Sequence, residues 1–189
     1  MPRDERFRTT YESNYARILG YALRRTVSPE DAADVVADTF ATAWRRYEQM
    51  PEGDEASLWL YGIARRVLAN HLRKRANRTK LVAMLTRDYE EAVWHDPLPT
   101  DGSALAGAWQ ALTARDRDLL GLLAWETLTT DQIAAVLGCS RSIAKVRIHR
   151  VRRRFARELQ RRDIEVKPAR FSRHVQVGRV GARPDTEAM

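Results

Sequence analysis

The sequence is poor in the residues that build disulfides and metal sites. It has one cysteine in 189 residues, Cys139, which excludes an internal disulfide and favours a reducing cytoplasm. Its four histidines, at positions 71, 95, 149 and 174, lack the spacing of metal ligands. We therefore predict no metal and no other cofactor.

Long apolar stretches are also missing. No run of about 18 apolar residues is present, and the N-terminal MPRDERFR lacks the apolar segment of a signal peptide. No alternating strand pattern precedes the C-terminal tail, whereas apolar residues recur at three-and-four spacing along the rest of the chain. We expect no membrane insertion and an all-α fold made of two small helical domains.

Positive charge is in excess. The chain has 33 Lys and Arg against 25 Asp and Glu, so its net charge is +8 and its pI is near 10.1. This balance favours a polyanionic partner such as nucleic acid, although an acidic membrane surface would also attract the chain.

Residues 129–155 have the pattern of a helix, a tight turn and a basic second helix. Thr129 and Gln132 form a capping-box pattern at the start of the first helix, and Gly138 suits its C-terminal end. Ser140 then suits the N-cap of the second helix. Because a helix-turn-helix needs two helices with such a short connection, we predict that the second helix binds DNA.

The second helix separates an apolar stripe from a basic face. Residues 141–162 contain ten Lys or Arg and one acid, Glu158. An anionic partner explains this charge, and a solvated basic helix at the end of a domain is the plainer alternative. The apolar stripe consists of Ala144, Ile148, Val151, Phe155 and Leu159.

The N-terminal part of the sequence predicts three helices, over about 7–27, from Ser28 to about Tyr47, and from Ser57 onward. Ser28 is the predicted N-cap of the second helix and Ser57 that of the third. The third begins a second basic surface, since residues 56–87 contain eight Lys or Arg and no acid. We predict a first domain over 1–77, an acidic flexible linker over 78–104, a second domain over 105–162 and a poorly ordered tail over 163–189.

Three strings besides the helix-turn-helix carry a family resemblance: DAADVVADTFATAW at 31–44, LWLYGIAR at 58–65 and ALTARDR at 111–117. In this order and spacing they resemble the extracytoplasmic-function group of bacterial sigma factors. The resemblance implies that the first domain is sigma region 2, which binds core RNA polymerase and the minus-ten promoter element. It implies that the second domain is sigma region 4, which binds the minus-thirty-five element of promoter DNA, and that an anti-sigma factor is a further partner.

The resemblance also implies roles for residues of the first domain. It places Asp34, Asp38, Thr39 and Trp44 on the surface that docks on polymerase, although residue type favours a core position for Trp44. It matches residues 49–55 to the loop that takes a flipped-out promoter base. Trp59 and Tyr61 would stack on unpaired bases, with core packing as the alternative. The residues expected to meet promoter phosphates are Arg65, Arg66, Asn70, Arg73, Lys74 and Arg75.

In the second domain the resemblance concerns the basic helix. It implies that Val146, His149 and Arg150 read base edges, with Arg150 the strongest specificity candidate because Arg pairs with guanine in the major groove. It implies that Arg141, Lys145 and Arg147 contact phosphates, and Ser142 lies on the same face.

Two rival interpretations come from other functional classes. An ordinary repressor or activator would use the first domain to sense a ligand or to dimerise, and would bind DNA without polymerase. An enzyme acting on nucleic acid would use Asp31, Asp34 and Asp38 as metal ligands, but these lie on one predicted helix whereas two-metal sites draw acids from several elements.

Overall fold

The computed structural model describes residues 2–85 and 103–162, with side chains described up to residue 75 in the first range. The predicted tail and most of the predicted linker lie outside these residues. The described ranges contain seven α-helices and no strand, which confirms the all-α prediction. The helices are α1 Arg3–Leu23, α2 Pro29–Arg45, α3 Glu55–Leu85, α4 Ala104–Gln110, α5 Ala114–Ala124, α6 Thr130–Leu137 and α7 Arg141–Gln160. None of them is long and apolar enough to cross a membrane.

Most helix starts follow from local capping chemistry. The Ser28 hydroxyl accepts a backbone N–H of the first turn of α2 at 3.1 Å, and Pro29 occupies the first helical position. Ser57, predicted as the cap of α3, lies inside that helix, because α3 already begins at Glu55. The Ser57 hydroxyl instead donates to a backbone carbonyl in the preceding turn.

The turn between α6 and α7 has the predicted geometry. Thr129 and Gln132 exchange both hydrogen bonds of a capping box. Gly138 has φ 61° and ψ 43°, a left-handed conformation that glycine adopts without steric cost. Ser140 then caps α7 through the backbone N–H of Ile143. The helix-turn-helix is confirmed as a structural unit.

The first three helices share one apolar core. Ile18 and Tyr21 of α1, Val35 of α2 and Leu60 of α3 are fully or almost fully buried. Burying side chains of this size stabilises the fold by about 1.5 to 3 kcal/mol each. This core fixes the outer faces of α2 and α3, which carry the residues implicated in binding.

The last four helices also pack through apolar side chains. Trp109 of α4 makes edge-on contacts with Trp125 and Phe155, with ring centroids 5.1 and 6.1 Å apart. Ala144 and Val151 of α7 are fully buried, as the predicted stripe requires. Packing of one side of α7 leaves its basic side exposed.

The two domains pack against each other. Helix α3 lies on α6, and the two approach closely at Gly62, where a Cβ atom would lie 3.4 Å from the Val136 carbonyl oxygen. The buried apolar residues form one continuous cluster that runs from Ile18 to Val151. The helical periodicity of the sequence carries no signal for this contact.

Candidate nucleic-acid and polymerase interfaces

Helix α7 exposes every residue predicted to contact the minus-thirty-five element. Ala144 and Ile148 face the core, whereas Val146 on the opposite side is 48% exposed. An α-helix packed along one side only can enter a major groove about 12 Å wide. The seven exposed residues are Arg141, Ser142, Lys145, Val146, Arg147, His149 and Arg150.

Sequence reasoning misses one residue on this part of α7. Ile143 is 47% exposed, although its type favours the core. Together with Val146 it places apolar surface near the N-terminal end of the helix, which suits contact with thymine methyl groups. Nearby, Arg141 Nε lies 2.9 Å from Asp131 Oδ1. Both side chains are exposed, so this ion pair contributes little to the stability of the fold, and Arg141 remains available to a phosphate.

The six α3 residues predicted to meet phosphates divide into two groups. Arg65 and Arg75 are half-buried and already paired: Arg65 Nε lies 2.7 Å from Asp118, and Arg75 Nη1 lies 2.6 Å from Asp31. Within the described residues, the other four form no ion pair with a carboxylate. The exposed residues are Arg66, Asn70, Arg73 and Lys74.

The two aromatic residues predicted to stack on bases differ in exposure. Tyr61 is 5% exposed, and its ring centroid lies 5.6 Å from that of Tyr21. Burial raises the pKa of Tyr61, and the nearby Glu126 carboxylate raises it further. Tyr61 is thus buried in this structure, where its hydroxyl lies 3.5 Å from Glu126 Oε2, and its stacking on an unpaired base stays a prediction. Trp59 is half-buried and packs against the core.

The loop at residues 49–55 is held by a residue that sequence reasoning misses. Arg6 of α1 donates from Nη2 to the carbonyl oxygens of Met50 at 2.9 Å and Pro51 at 3.2 Å. Gly53 gives the loop a left-handed residue with φ 59°. No motif marks Arg6, since its contacts are with backbone atoms more than forty residues away.

The outer face of α2 carries Asp34 and Asp38, both exposed. Thr39 does not share this face. It is 0% exposed, and its hydroxyl donates to the Val35 carbonyl oxygen at 2.6 Å. Position 39 thus falls on the buried side of the helix, and its contact with polymerase stays a prediction.

Trp44 is 38% exposed, so the expectation that it belongs to the core is wrong. Its ring packs edge-on against Phe7 at 4.9 Å, and the Arg3 guanidinium lies 4.5 Å from its centroid. The exposed part of the ring leaves Trp44 available to a partner.

A set of buried charges that no sequence motif indicates joins the two domains. Arg25, with a side chain 3% exposed, lies 3.2 Å from Asp118 through Nε and 3.1 Å from Glu126 through Nη1. Arg24 lies 2.7 Å from Glu126, and Arg65 lies 2.7 Å from Asp118. We call these five residues the interdomain cluster.

Tyr21 completes this arrangement. Its hydroxyl donates to Asp118 at 3.0 Å, and the Arg25 guanidinium lies 3.8 Å from its ring centroid. Burial raises the pKa of Tyr21 well above its usual range, and the Asp118 charge raises it further, so the hydroxyl remains a donor. Both oxygens of Asp118 and of Glu126 therefore accept hydrogen bonds, as buried carboxylates require.

The described ranges hold no group of three or more His, Cys, Asp or Glu able to bind a metal ion. Asp31, one of the three acids in the enzyme interpretation, lies 3.0 Å from His71 and 2.6 Å from Arg75. Its carboxylate is thus already paired within the first domain.

Two family models match the chain in series. The model described as Sigma-70 region 2 matches residues 10–78, and the one described as Sigma-70, region 4 matches residues 104–155. These spans contain the exposed faces of α2 and α3 and the helix-turn-helix, respectively.

RNA polymerase sigma factors from other bacteria are similar to this chain along most of its length. The RNA polymerase sigma-E factor of Streptomyces coelicolor is 28% identical over 152 residues, which cover 79% of this chain and 84% of the relative. The ECF RNA polymerase sigma factor SigL of Mycobacterium tuberculosis is 28% identical over 145 residues, which cover 75% of this chain and 82% of the relative.

Solved structures share the fold. The sigma factor RpoE of Bartonella quintana, in complex with the anti-sigma factor NepR, matches with a TM-score of 0.61 and 23% identity, covering 82% of this chain and 98% of that one. CnrH, in complex with the cytosolic domain of CnrY, matches with a TM-score of 0.56 and 21% identity, and the match covers 84% of this chain and 90% of CnrH. With both sigma regions matched in order, and with ECF sigma factors among its relatives, this chain belongs to the extracytoplasmic-function group of bacterial RNA polymerase sigma factors.

Proposed function

We propose that this chain binds core RNA polymerase and directs it to promoters, where it takes part in recognition and melting. The observation that carries the proposal is the combination in one chain of a sigma region 2 with acidic and basic outer faces and a region 4 with an exposed basic recognition helix. The chain makes no chemical bond itself; it positions the polymerase, in the cytoplasm where polymerase acts.

The recognition helix α7 is assigned to the minus-thirty-five element. Val146, His149 and Arg150 read base edges, while Lys145 and Arg147 flank them and hold phosphates. Exposure of all five side chains supports the assignment. We add Ile143 as an apolar contact.

The first domain is assigned two surfaces. Asp34, Asp38 and Trp44 on α2 dock on polymerase, an assignment that their exposure supports. The exposed part of the α3 basic surface, Arg66 to Lys74, faces the minus-ten region. We keep 1–77 and 105–162 as the domain boundaries, although α3 continues through Leu85. An anti-sigma factor is a further proposed partner.

Run-off transcription with core polymerase on a library of random promoters tests the function. The chain should select a subset of promoters that share minus-ten and minus-thirty-five sequences, and transcription should require the core enzyme. A chain that binds one DNA sequence tightly without polymerase, and supports no transcription with it, would instead be an ordinary repressor or activator.

Replacing Asp34 and Asp38 together by Ala should weaken binding to core polymerase by about tenfold and leave the fold intact. Both carboxylates are exposed, so their loss removes charge from the docking face without opening a cavity. The affinity is measured by titrating labelled protein with core enzyme, and the fold by circular dichroism. The Glu5→Ala/Glu12→Ala variant on α1 changes the charge equally and should bind normally. Equal affinities for the two variants would remove α2 from the docking surface.

Replacing Arg6 by Ala should slow promoter opening by about five- to tenfold while polymerase binding is unchanged. The substitution removes two charge-assisted hydrogen bonds that hold the loop at Met50 and Pro51. Permanganate reactivity of unpaired thymines at the minus-ten element measures opening. Arg8→Ala, an exposed α1 control of the same charge change, should open promoters at the normal rate. Loss of opening in both variants would indicate a general charge effect and not loop positioning.

A further inference from the structure

We propose that a cleft formed by α3 and the segment from α4 to α5 binds a nucleotide, that is, a small phosphorylated ligand with a planar base. The cleft has a volume of about 590 Å³. Sites for small molecules range from roughly 300 to 1,000 Å³ and combine apolar walls with a few polar groups. Binding of a small molecule at this cleft is a property of the chain beyond its proposed action at promoters.

The charged residues that line the cleft are nearly all arginines. Seven arginines lie in its walls with a single carboxylate, that of Asp118. The interdomain cluster accounts for three of the seven. Of the others, Arg66 and Arg73 of α3 and Arg115 of α5 are exposed and form no ion pair with a carboxylate within the described residues. Because a concave site with charges of one sign concentrates small anions, and guanidinium groups bind phosphate through two hydrogen bonds, the cleft suits a ligand with several negative charges.

A second wall of the cleft is apolar. Leu68 and Trp109 are 4% and 5% exposed and form its base, whereas Leu72 and Trp125 are half-buried and so offer apolar surface to the cleft. A planar ring packs well against aromatic and aliphatic side chains of this kind. An inorganic anion would leave this surface uncovered, so the ligand that fits both walls carries an apolar ring as well as its charge.

One polar atom among the lining residues has no acceptor. Trp109 Nε1 is buried and lacks a hydrogen-bond partner in the described part of the chain. A buried donor left unpaired costs free energy, which an acceptor atom of a ligand would recover. Nucleotide bases carry such acceptors on the edge of a planar ring. This combination favours a nucleotide over a fatty acid or another simple amphipathic anion.

The test titrates the wild-type full chain with three probes at one fixed salt concentration and without divalent metal ions. ATP carries a base and phosphates, adenosine carries no charge, and tripolyphosphate carries no base. Isothermal titration calorimetry measures affinity and stoichiometry. We expect ATP to bind at one site per chain, about tenfold or more tighter than either of the other probes, because only ATP engages both walls.

The Arg66→Ala/Arg115→Ala variant should bind ATP about tenfold more weakly, because it removes one guanidinium group from each side of the cleft. The matched control is Arg8→Ala/Arg46→Ala, which changes the net charge equally at two exposed positions outside the cleft and should bind ATP as the wild type does. Ala69→Trp fills the cleft without changing its charge and should also weaken ATP binding. Circular dichroism verifies that each variant is folded.

An affinity for tripolyphosphate equal to or higher than that for ATP would overturn the inference, since the chain would then attract anions through charge alone. Equal ATP affinities of the Arg66→Ala/Arg115→Ala variant and its control would overturn it too, since binding would lie elsewhere. None of these titrations uses polymerase or promoter DNA. The proposed function therefore fails separately, if wild-type protein supports no run-off transcription with core polymerase.

Discussion

Replacing Arg25 by Ala is expected to lower the free energy of unfolding by about 3 to 5 kcal/mol, the usual cost of removing one partner from a buried ion pair. Glu126 and Asp118 would lose their most buried cationic partner, since the Arg25 side chain is 3% exposed. Differential scanning calorimetry on the full chain measures the effect.

The control for Arg25 is Arg154→Ala. Arg154 lies 2.7 Å from Asp116, but its side chain is 51% exposed, so its loss should cost at most about 1 kcal/mol. Adding Glu126→Gln to Arg25→Ala should recover part of the loss, because it removes one uncompensated buried charge. If Arg25→Ala and Arg154→Ala are equally stable, the interdomain cluster does not form in solution.

Replacing Arg150 by Ala should cost about 1 to 3 kcal/mol of binding free energy on the preferred promoter and little on a promoter altered at the contacted base pair. Specificity at that position therefore relaxes. Arg150 is exposed on the side of α7 away from Ala144 and Ile148, from which a guanidinium group reaches base edges. The measurement is promoter affinity of the holoenzyme across a set of minus-thirty-five variants.

Arg147→Ala is the matched comparison on the same helix. It should weaken binding to all promoters alike and lower the slope of log affinity against log salt by about one unit, the signature of one lost phosphate contact. If both variants lose affinity uniformly across the minus-thirty-five set, base reading belongs to another residue of α7.

The parts of the fold predicted correctly depend on contacts between residues close in sequence. The cap at Ser28, the capping box of Thr129 and Gln132 and the left-handed Gly138 each involve only a few neighbouring residues. Residue type and spacing therefore suffice to recognise them. The apolar stripe of α7 was predictable for the same reason, since one helical period determines it.

Sequence patterns fail to predict the exposure of a side chain where tertiary packing decides it. Thr39 is polar yet fully buried, since its hydroxyl donates a hydrogen bond to the Val35 carbonyl oxygen within α2. Trp44 is large and aromatic yet 38% exposed. Tyr61 and Arg65 are covered or paired by residues of the second domain more than fifty positions away. No sequence pattern within the first domain indicates a contact with a residue so distant in sequence.

The sequence separation of the interdomain cluster also bears on protein synthesis. Arg25 and Glu126 are 101 positions apart, so the first domain leaves the ribosome and can fold well before Glu126 is made. During that interval Arg24, Arg25 and Arg65 have none of their interdomain carboxylate partners. A nascent chain therefore presents its first domain in an open state that the finished protein reaches only by separating its domains.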